Sequence, residues 1–290
     1  MTPRLSIVIP SHCRADLLAL CLQTVTRYAP PGTEILVVDD GSPDAIISRT
    51  AELFPGVRVL RHETALGFCR AANAGIEATS GEFVELLNDD TQVFPGWSEA
   101  ALARFADVEV GAVAPLVLRG PFGEADPCVD SAGDEYHRGG YARKRWNGRK
   151  LSTLTCGGDD VGAASGSSAF YRRSALAKAG LFSEEFGAYF EDVDLSCRIR
   201  AAGYRIRYEP TCRVWHAVGS SYGRMSRRLL MQQSRNEEWL FWRNLRPDRR
   251  LPDLLRHVGV LGAKGLMRMH EGQLFAWLRG RMRAWARLRG

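Results

Sequence analysis

Short apolar runs and helical repeats alternate along the first hundred residues of the chain. Residues 5–9 (LSIVI) form an apolar run rich in β-branched residues, which predicts a strand buried on both faces. Residues 34–40 (EILVVDD) predict a second buried strand. Between them, apolar positions recur at helical spacing from Ala15 to Tyr28. The alternation continues with a helix at 43–53, a strand at 57–60, a helix at 67–79 and a strand at 82–90. This β-α-β-α-β order with short links predicts an α/β fold with a parallel, Rossmann-like sheet.

The pattern changes after the first hundred residues. Residues 119–160 are rich in glycine and charge with little apolar periodicity, which predicts a long loop that acts as a lid or a recognition surface. From residue 161 the sequence predicts a helix over 174–180, a second helix that starts near Glu191, and strands in RIRYEP and CRVWH. After residue 224 the chain is typical of arginine-rich helices that carry several tryptophans.

The charge of the chain is unevenly distributed. The formal net charge is +6, yet residues 224–290 contain 16 Lys and Arg against 5 Asp and Glu, a local +11. The preceding residues therefore carry −5 and form a mildly acidic body. Only the basic tail carries enough net positive charge to indicate an anionic binding partner.

Composition and cysteine usage exclude several classes of protein. Hydrophobic residues make up 45% and charged residues 25%, which is globular and excludes a disordered or fibrous chain. No apolar run reaches the length of a spanning helix, and the N-terminus lacks a charged leader followed by an apolar region, so we expect no secretory signal. Seven scattered cysteines without a CxxC pair predict neither a disulfide framework nor a zinc site, but buried thiols in a reducing cytosol.

Three of the predicted strands end in polar residues: Ser11-His12, Asp39-Asp40 and Asn88-Asp89-Asp90. Ligands of open parallel sheets bind beyond the carboxyl ends of the strands, so we expect a polar ligand at this edge. Carboxylates at 39 and 40 can accept hydrogen bonds from a nucleoside base or from ribose hydroxyls. The alternative is that Asp40 or Ser42 caps the helix that follows.

The Asn88-Asp89-Asp90 segment has the chemistry of a divalent-cation site. A hard cation prefers oxygen ligands and keeps several waters, so one or two carboxylates and the substrate phosphates are enough to hold it. The alternative is the solvated start of a loop, and the segment taken alone leaves both interpretations open.

Glu191, Asp192 and Asp194 stand at the start of a predicted helix, directly after the aromatic run 186–190. Acidic residues are common there because they interact favourably with the helix dipole. Three acids in four residues exceed what a cap requires, and a general base is the other interpretation. His216 follows the last predicted strand; a lone histidine is more often structural, but an imidazole can complete a site of carboxylates and phosphates.

The order of these motifs resembles family 2 inverting glycosyltransferases of the GT-A fold. The matching strings are SIVIPSHCRADLLALCLQTV, EILVVDDGS, LGFCRAANAGI, GEFVELLNDDT, VGAASGSSAFYRRSALAKAGLFSEEFGAYFEDVDLSCRIRAAGYR and VWHAVGS followed by SRNEEWLFWRN. They cover about residues 5–245, and the DSAG (130–133) and LLNDDT details are most similar to bacterial rhamnosyltransferase-type members.

The resemblance implies a mixed, mostly parallel sheet flanked by helices, with a C-terminal helical extension. The catalytic domain would span residues 1–224, with a nucleotide-sugar half at about 1–118 and an acceptor half at about 119–224. Residues 225–290 would form the basic helical extension.

The resemblance also implies roles for individual residues. Pro10, Ser11, Asp39 and Asp40 would hold the nucleoside, Asn73 would line the donor pocket, and Asp89 would lie near the ribose or the donor sugar. The divalent cation, Mg²⁺ or Mn²⁺, would be bound by Asp90 and His216. Asp192, the second acid of the Glu191-Asp192 pair, would be the catalytic base. Asn88 departs from the Asp often found at its position.

The implied reaction is inverting transfer of a sugar from a nucleotide-diphosphate sugar, such as dTDP-rhamnose, to a hydroxyl of a glycan or lipid-linked acceptor. It would serve bacterial cell-surface polysaccharide synthesis. A UDP- or GDP-hexose donor and an inactive, scaffold-like relative are the alternatives. A nucleotidyltransferase would need a glycine-rich loop after the first strand and a dehydrogenase a GxGxxG motif, whereas the segment here is PSHCRAD.

The tail alternates apolar and arginine positions at helical spacing, with Trp277 and Trp285 near its end. This pattern is typical of an amphipathic helix on an anionic membrane surface. We therefore expect a cytoplasmic protein that is peripheral on the inner face of the plasma membrane and binds no nucleic acid. Homodimerisation through the same helices is an alternative.

Overall fold

The computed structural model describes residues 4–155, 159–217 and 226–288. Cys156 and the predicted boundary between residues 224 and 225 lie outside these ranges. The strands, in chain order, are β1 (Leu5–Ser11), β2 (Glu34–Asp39), β3 (Val57–Arg61), β4 (Phe83–Leu87), β5 (Thr91–Val93), β6 (Val110–Arg119), β7 (Cys128–Ser131), β8 (Asp134–His137), β9 (Tyr141–Lys144), β10 (Ser168–Arg172) and β11 (Arg205–His216). The α-helices are α1 (Ala15–Tyr28), α2 (Ile46–Glu52), α3 (Phe68–Glu77), α4 (Trp97–Arg104), α5 (Arg173–Ala179), α6 (Glu191–Ala201), α7 (Arg227–Arg243), α8 (Arg250–His270) and α9 (Leu274–Leu288).

Nine of the described strands form one mixed sheet in the order β3-β2-β1-β4-β10-β6-β11-β5, with β7 paired to β6. Strands β3, β2, β1 and β4 are parallel neighbours, whereas β10 runs antiparallel between β4 and β6. Parallel neighbours need crossover connections, which α1, α2 and α3 provide. The predicted α/β class, with a mixed sheet flanked by helices, is confirmed.

The first strands and helices pack closely because small residues lie between them. Strand β1 is buried along its whole length, as its unbroken apolar run predicts. Gly75 of α3 faces β1 and β2, and a Cβ at this position would lie 2.3 Å from Val8 Cγ1 and 2.9 Å from Val38 Cγ2. Only glycine lets α3 approach the sheet this closely.

The segment 119–160 differs from the predicted loop because it contains β7, β8 and β9. Strand β7 adds to the main sheet through β6, and β8 pairs with β9 in a separate ribbon. Strands β8 and β9 are short and mostly polar, so neither carries the apolar alternation from which a strand is recognised. The predicted helix at 43–53 also differs, since residues 43–45 form a 3₁₀ turn and α2 begins at Ile46.

The chain divides into two compact units, residues 1–134 with 144–218, and residues 135–143 with 219–290. The sequence does not indicate that residues 135–143, between β8 and β9, belong with the C-terminal helices. The predicted nucleotide-sugar and acceptor halves of the first unit stay predictions. Cys21, Cys69 and Cys212 are buried as expected, whereas Cys13 is exposed.

In the second unit, α7 and α9 cross at a glycine. A Cβ at Gly280 would lie 2.4 Å from the Met231 carbonyl oxygen. Beside this crossing, Arg281 is buried and pairs with Glu237 and with Glu238. Trp277 is buried here too, so the tail does not present it to a membrane surface as its pattern suggested.

None of the helices within residues 4–155, 159–217 and 226–288 combines the length and the apolar content that crossing a bilayer requires.

Replacing Gly75 with alanine should lower the free energy of unfolding by about 1–3 kcal/mol, because the added methyl group overpacks the sheet. Gly262 of α8 is the matched control, since a Cβ there would meet no atom within 4 Å. Gly262→Ala should leave stability unchanged or raise it by up to about 1 kcal/mol, as alanine favours helix. Chemical denaturation measures both, and a Gly75→Ala protein as stable as wild type would contradict the packing.

Candidate active site

The carboxyl ends of β1, β2 and β4 meet at one edge of the sheet. Pro10 and Ser11 lie in register with Val38 and Asp39, and the Asp40 N–H donates to the Ser11 carbonyl oxygen at 2.8 Å. The Ser11 hydroxyl donates to Asp89 Oδ2 at 2.6 Å. The structure thus brings together the three polar strand ends that the sequence placed at one edge.

Asp39 and Asp40 are both held by hydrogen bonds from the protein. Asp39 is fully buried and accepts from the N–H groups of Ser42 and Ser48, while Arg61 pairs with its Oδ2. Burial alone would raise the pKa of Asp39, but hydrogen bonds from Ser48 and Ser42 outweigh it and lower the pKa. Asp39 therefore organises the turn after β2, and its predicted contact with a nucleoside stays a prediction.

Asp40 accepts from the N–H groups of Leu66 and Gly67 at 2.8 Å each, and its Oδ1 lies 2.9 Å from His62 Nδ1. These partners lower the pKa of Asp40 against the opposing effect of burial. The carboxylate is ionised and tied to the loop that precedes α3. Its predicted contact with a nucleoside stays a prediction.

Asp89 and Asp90 share one positively charged partner. The guanidinium of Arg14 pairs with Asp89 and places Nη1 2.6 Å from Asp90 Oδ2. Burial raises the pKa of Asp89 even though Arg14 opposes this. The pKa of Asp90 is lowered, because contacts with His216 and Arg14 outweigh its burial.

His216 lies between two carboxylates. Its Nε2 is 3.2 Å from Asp90 Oδ1 and its Nδ1 is 3.2 Å from Asp130 Oδ2. Burial alone would lower the pKa of His216, but Asp130 and Asp90 raise it. Burial would likewise raise the pKa of Asp130, yet His216 and Lys144, whose Nζ is 2.7 Å away, lower it to about 2.

These residues fit a divalent cation held partly by substrate. The described residues contain no group of three or more His, Cys, Asp and Glu side chains in a metal-binding arrangement. However, Asp90 Oδ1 is buried and accepts no hydrogen bond of regular geometry from a described residue. Because Mg²⁺ is commonly held by one or two carboxylates with substrate phosphates, Asp90 can serve as a ligand without such a group.

The second cluster of acids lies at the start of α6. Asp192 Oδ2 accepts from the Gly166 N–H at 2.7 Å and Oδ1 accepts from the Val193 N–H at 2.8 Å. Burial raises the pKa of Asp192, and these two N–H groups and the charge of Lys144 oppose the rise. A Cβ at Gly166 would lie 3.2 Å from Asp192 Oδ2, so glycine leaves room for this hydrogen bond.

Two further carboxyl groups surround Asp192. Glu191 is buried, its Oε2 has no hydrogen-bond partner among the described residues, and burial with the charge of Asp192 raises its pKa well above the ordinary value. Asp134 accepts from the Ser131 hydroxyl at 2.6 Å, and burial with the charge of Asp192 raises its pKa to about 7. The two N–H groups thus favour the ionised form of Asp192 within a cluster of carboxyl groups whose pKa values are raised.

Asn73 has a structural partner. Its side-chain amide donates to the Phe182 carbonyl oxygen at 2.8 Å and accepts from the Phe182 N–H at 2.9 Å. Both ends of the amide thus connect α3 to the segment that precedes α6. The predicted role of Asn73 in lining a donor pocket stays a prediction.

Sequence reasoning missed several members of both clusters. They are Arg14, Asp130, Asp134, Lys144 and Gly166. The two aspartates share the DSAGD segment, which was noted for its resemblance but given no role, and Arg14 stands in the polar segment directly after β1. Lys144 shows no sequence signal, because only the pairing of β8 with β9 brings it back towards Asp130.

The fold matches solved glycosyltransferases. The mannosyltransferase PcManGT from Pyrobaculum calidifontis, solved with GDP-Man and Mn²⁺, superposes with a TM-score of 0.61 at 15% identity over 98% of this chain and 88% of its own. GalNAc-T7, solved with UDP, GalNAc and Mn²⁺, superposes with a TM-score of 0.62 at 17% identity. The match covers 82% of this chain and about half (48%) of the GalNAc-T7 chain. These likenesses establish the GT-A fold that the sequence predicted.

The family follows from the sequence models. The model of glycosyl transferase family 2 matches residues 6–180, and that of glycosyl transferase family group 2 matches residues 126–245. The chain therefore belongs to glycosyl transferase family 2. Among its relatives is the N-acetylglucosaminyl-diphospho-decaprenol L-rhamnosyltransferase of Mycobacterium tuberculosis, 29% identical over an alignment of 244 residues that covers 77% of this chain and 79% of the relative. The resemblance to rhamnosyltransferase-type members is confirmed.

The low pKa of Asp130 should make the free energy of unfolding depend on pH. A carboxyl group with a pKa of about 2 in the folded state and about 3.9 in the unfolded state stabilises the protein above pH 3.9, by about 2 kcal/mol. This stability is lost as the pH falls towards 2. Between about pH 5.5 and 3, urea unfolding of wild type should lose about 1 kcal/mol more than Asp130→Asn.

The exposed Asp159 provides the control for this measurement. Asp159→Asn should keep the wild-type dependence on pH, because its side chain is 56% exposed and screened by solvent. If wild type and Asp130→Asn lost the same free energy of unfolding over this pH range, His216 and Lys144 would not hold Asp130 ionised.

Proposed function

We propose that the protein is an inverting glycosyltransferase that moves a rhamnosyl group from dTDP-rhamnose to a hydroxyl of a lipid-linked or glycan acceptor. The observation that carries the proposal is the carboxylate of Asp192 at the start of α6, which is held by two backbone N–H groups and whose charge acts on Glu191 and Asp134. The acceptor class and the sugar are supported by the relative from Mycobacterium tuberculosis, whose name specifies L-rhamnosyl transfer to a diphospho-decaprenol-linked sugar. A UDP- or GDP-hexose donor is the second candidate.

In this mechanism Asp192 accepts the proton of the acceptor hydroxyl as its oxygen attacks the anomeric carbon. The bond from that carbon to the diphosphate breaks on the opposite face, so the configuration inverts and no sugar becomes attached to the enzyme. The raised pKa of Asp192 suits this role, because a general base works best with a pKa near the operating pH.

The nucleotide and its diphosphate would bind at the other cluster. Pro10, Ser11, Asp39 and Asp40 would hold the nucleoside. Asp89, which accepts a hydrogen bond from the Ser11 hydroxyl, would lie near the ribose or the donor sugar. A bound Mg²⁺ or Mn²⁺ would neutralise the charge that develops on the leaving diphosphate. Asp90 would hold this cation, with His216 as a further ligand, once Arg14 yields its contact with Asp90.

The place of the reaction would be a membrane surface in cell-envelope polysaccharide synthesis. A lipid-linked acceptor lies in a membrane, and helices α8 and α9 expose large apolar side chains beside arginines. On α9 these are Phe275, Leu278, Met282 and Trp285. We therefore infer peripheral binding of the C-terminal unit to the inner face of the plasma membrane, with dimerisation through the same side chains as the alternative.

Replacing Asp192 with asparagine should lower kcat at least about 100-fold, because the amide cannot accept the proton. Nucleotide binding should be retained. The measurement is release of dTDP from dTDP-rhamnose, with UDP- and GDP-sugars compared in the same assay and product analysed for its anomeric configuration.

Asp194 is the matched control for this variant, since it lies in the same first turn of α6 but pairs with Arg198 at 2.9 Å. If Asp192 merely stabilised the helix N-terminus, Asp192→Asn and Asp194→Asn would lower kcat equally. If Asp192 is the base, Asp192→Asn should lower kcat far more than Asp194→Asn does. Turnover of Asp192→Asn near that of wild type would refute the assignment.

Replacing Asp90 with alanine should weaken metal-dependent binding of the nucleotide sugar at least about tenfold, because a negatively charged oxygen ligand is lost. Calorimetric titration with Mn²⁺ and with EDTA measures the difference. Asp160→Ala, at an exposed position paired with Arg207, is the control and should bind as wild type does. Titrations of wild type that are identical with Mn²⁺ and EDTA would disprove the metal role.

A further inference from the structure

The second unit contains a pocket that the proposed reaction does not use. It has a volume of about 710 Å³ and lies between α8 and the turn that connects β8 and β9. Its polar and aromatic lining comprises His137, Arg138, Tyr141, Arg249 and Arg256. Every lining residue belongs to the second unit, so the pocket is complete within it.

The pocket is positively charged. Arg256 pairs with Asp253 at 2.7 Å, but neither Arg138 nor Arg249 pairs with a carboxylate of the described residues. In addition, Arg249 Nε is buried and has no hydrogen-bond partner there. Two uncompensated guanidinium groups with a buried, unused N–H favour an anion with several acceptor oxygens, and a phosphate has this geometry.

The wall opposite α8 is held in place before any ligand binds. Gly139 approaches α8 so closely that a Cβ would lie 2.8 Å from Val260 Cγ2. His257 Nδ1 lies 2.8 Å from the Gly139 carbonyl oxygen, and its Nε2 lies 3.2 Å from Glu238 Oε2. The rings of His137 and Tyr141 stack at 4.4 Å on this wall. Such fixed walls reduce the ordering cost of binding a ligand.

An apolar stripe runs along the same helix. Its members are Leu251, Leu255, Val258, Leu266 and Met269, which are between 57% and 68% exposed. At 100° per residue they fall within an arc of about 80° on α8. The pocket is lined from α8 by Arg256, Gly259 and Ala263, which stand on the adjoining part of the helix surface. Arg249 directly precedes the helix and Arg138 lies in the turn between β8 and β9, so the apolar stripe borders the pocket.

We propose that this pocket binds the phosphate group of an anionic membrane phospholipid while the stripe contacts the acyl region. Charge complementarity and the adjacent aliphatic stripe favour a lipid over a soluble anion, because a soluble phosphate would leave the stripe exposed to water. The inference rests on the membrane association proposed above and adds to it a defined headgroup site.

The test is co-sedimentation of the full chain with vesicles of phosphatidylcholine, alone or mixed with phosphatidylglycerol. Each basic residue near an anionic surface strengthens membrane binding about fivefold to sixfold. The double variant Arg138→Gln/Arg249→Gln should therefore lose about 30-fold in apparent affinity for the anionic vesicles. The control, Arg27→Gln/Arg49→Gln, removes two exposed arginines of the first unit and should stay within about threefold of wild type. Unchanged thermal unfolding shows that the pocket variant folds.

A second comparison separates a phosphate site from diffuse charge. Vesicles in which oleate replaces phosphatidylglycerol at equal surface charge lack the anionic phosphate. Wild type should bind the phosphatidylglycerol vesicles at least about fivefold more tightly than the oleate vesicles, and the pocket variant should lose this preference. Equal binding of both vesicles by wild type would overturn the headgroup site.

The remaining outcomes distinguish this inference from the proposed membrane association. If wild type binds no vesicles while Leu255→Gln/Val258→Gln lowers its oligomeric state, the membrane association is wrong and the pocket assignment falls with it. If wild type binds anionic vesicles and the pocket variant binds them equally well, the association stands and the pocket assignment alone is overturned. Loss of oligonucleotide binding in the pocket variant, with vesicle binding unchanged, would assign the pocket to nucleic acid instead.

Discussion

The pairing of buried carboxylates with a few cations is the interaction on which the site depends. Asp89, Asp90 and Asp130 are buried within a small volume at the end of the sheet, where like charges repel and water is scarce. Arg14 bridges the first two, and His216 lies between the last two. Arg14 and His216 thus offset the repulsion between the carboxylates that the converging strand ends bring together.

The two acidic clusters differ in protonation because their partners differ. Asp90 and Asp130 face cationic side chains, which lower their pKa values and keep them ionised, as a cation-binding site requires. Glu191 and Asp134 have no cation in direct contact among the described residues, and burial together with the charge of Asp192 raises their pKa values. The same fold thus provides two acidic clusters. The ionised cluster is suited to a diphosphate and its cation, and the cluster with raised pKa values is suited to proton transfer.

The second unit uses the same physical device for stability. Glu238 accepts hydrogen bonds from the indole N–H groups of Trp242 and Trp285 and pairs with Arg281 in the interior. Burial alone would raise the pKa of Glu238, but the hydrogen bond with His257, the charge of Arg281 and the hydrogen bond from Trp285 lower it to about 2. Several residues that make the tail look basic and amphipathic in sequence, among them Trp285 and Arg281, therefore have partners inside this unit.

Local patterns in the sequence determined the elements of the Rossmann-like half and their alternation, because strands buried on both faces and amphipathic helices have distinct apolar periods. They also placed Ser11, Asp39, Asp40 and Asp90 at one edge, since parallel strands end on the same side. Tertiary structure alone decided that Lys144 reaches Asp130, that Asp134 joins Asp192, and that residues 135–143 belong with the C-terminal helices. Those relations depend on pairing between short polar strands and on charges far apart in sequence, which no local period encodes.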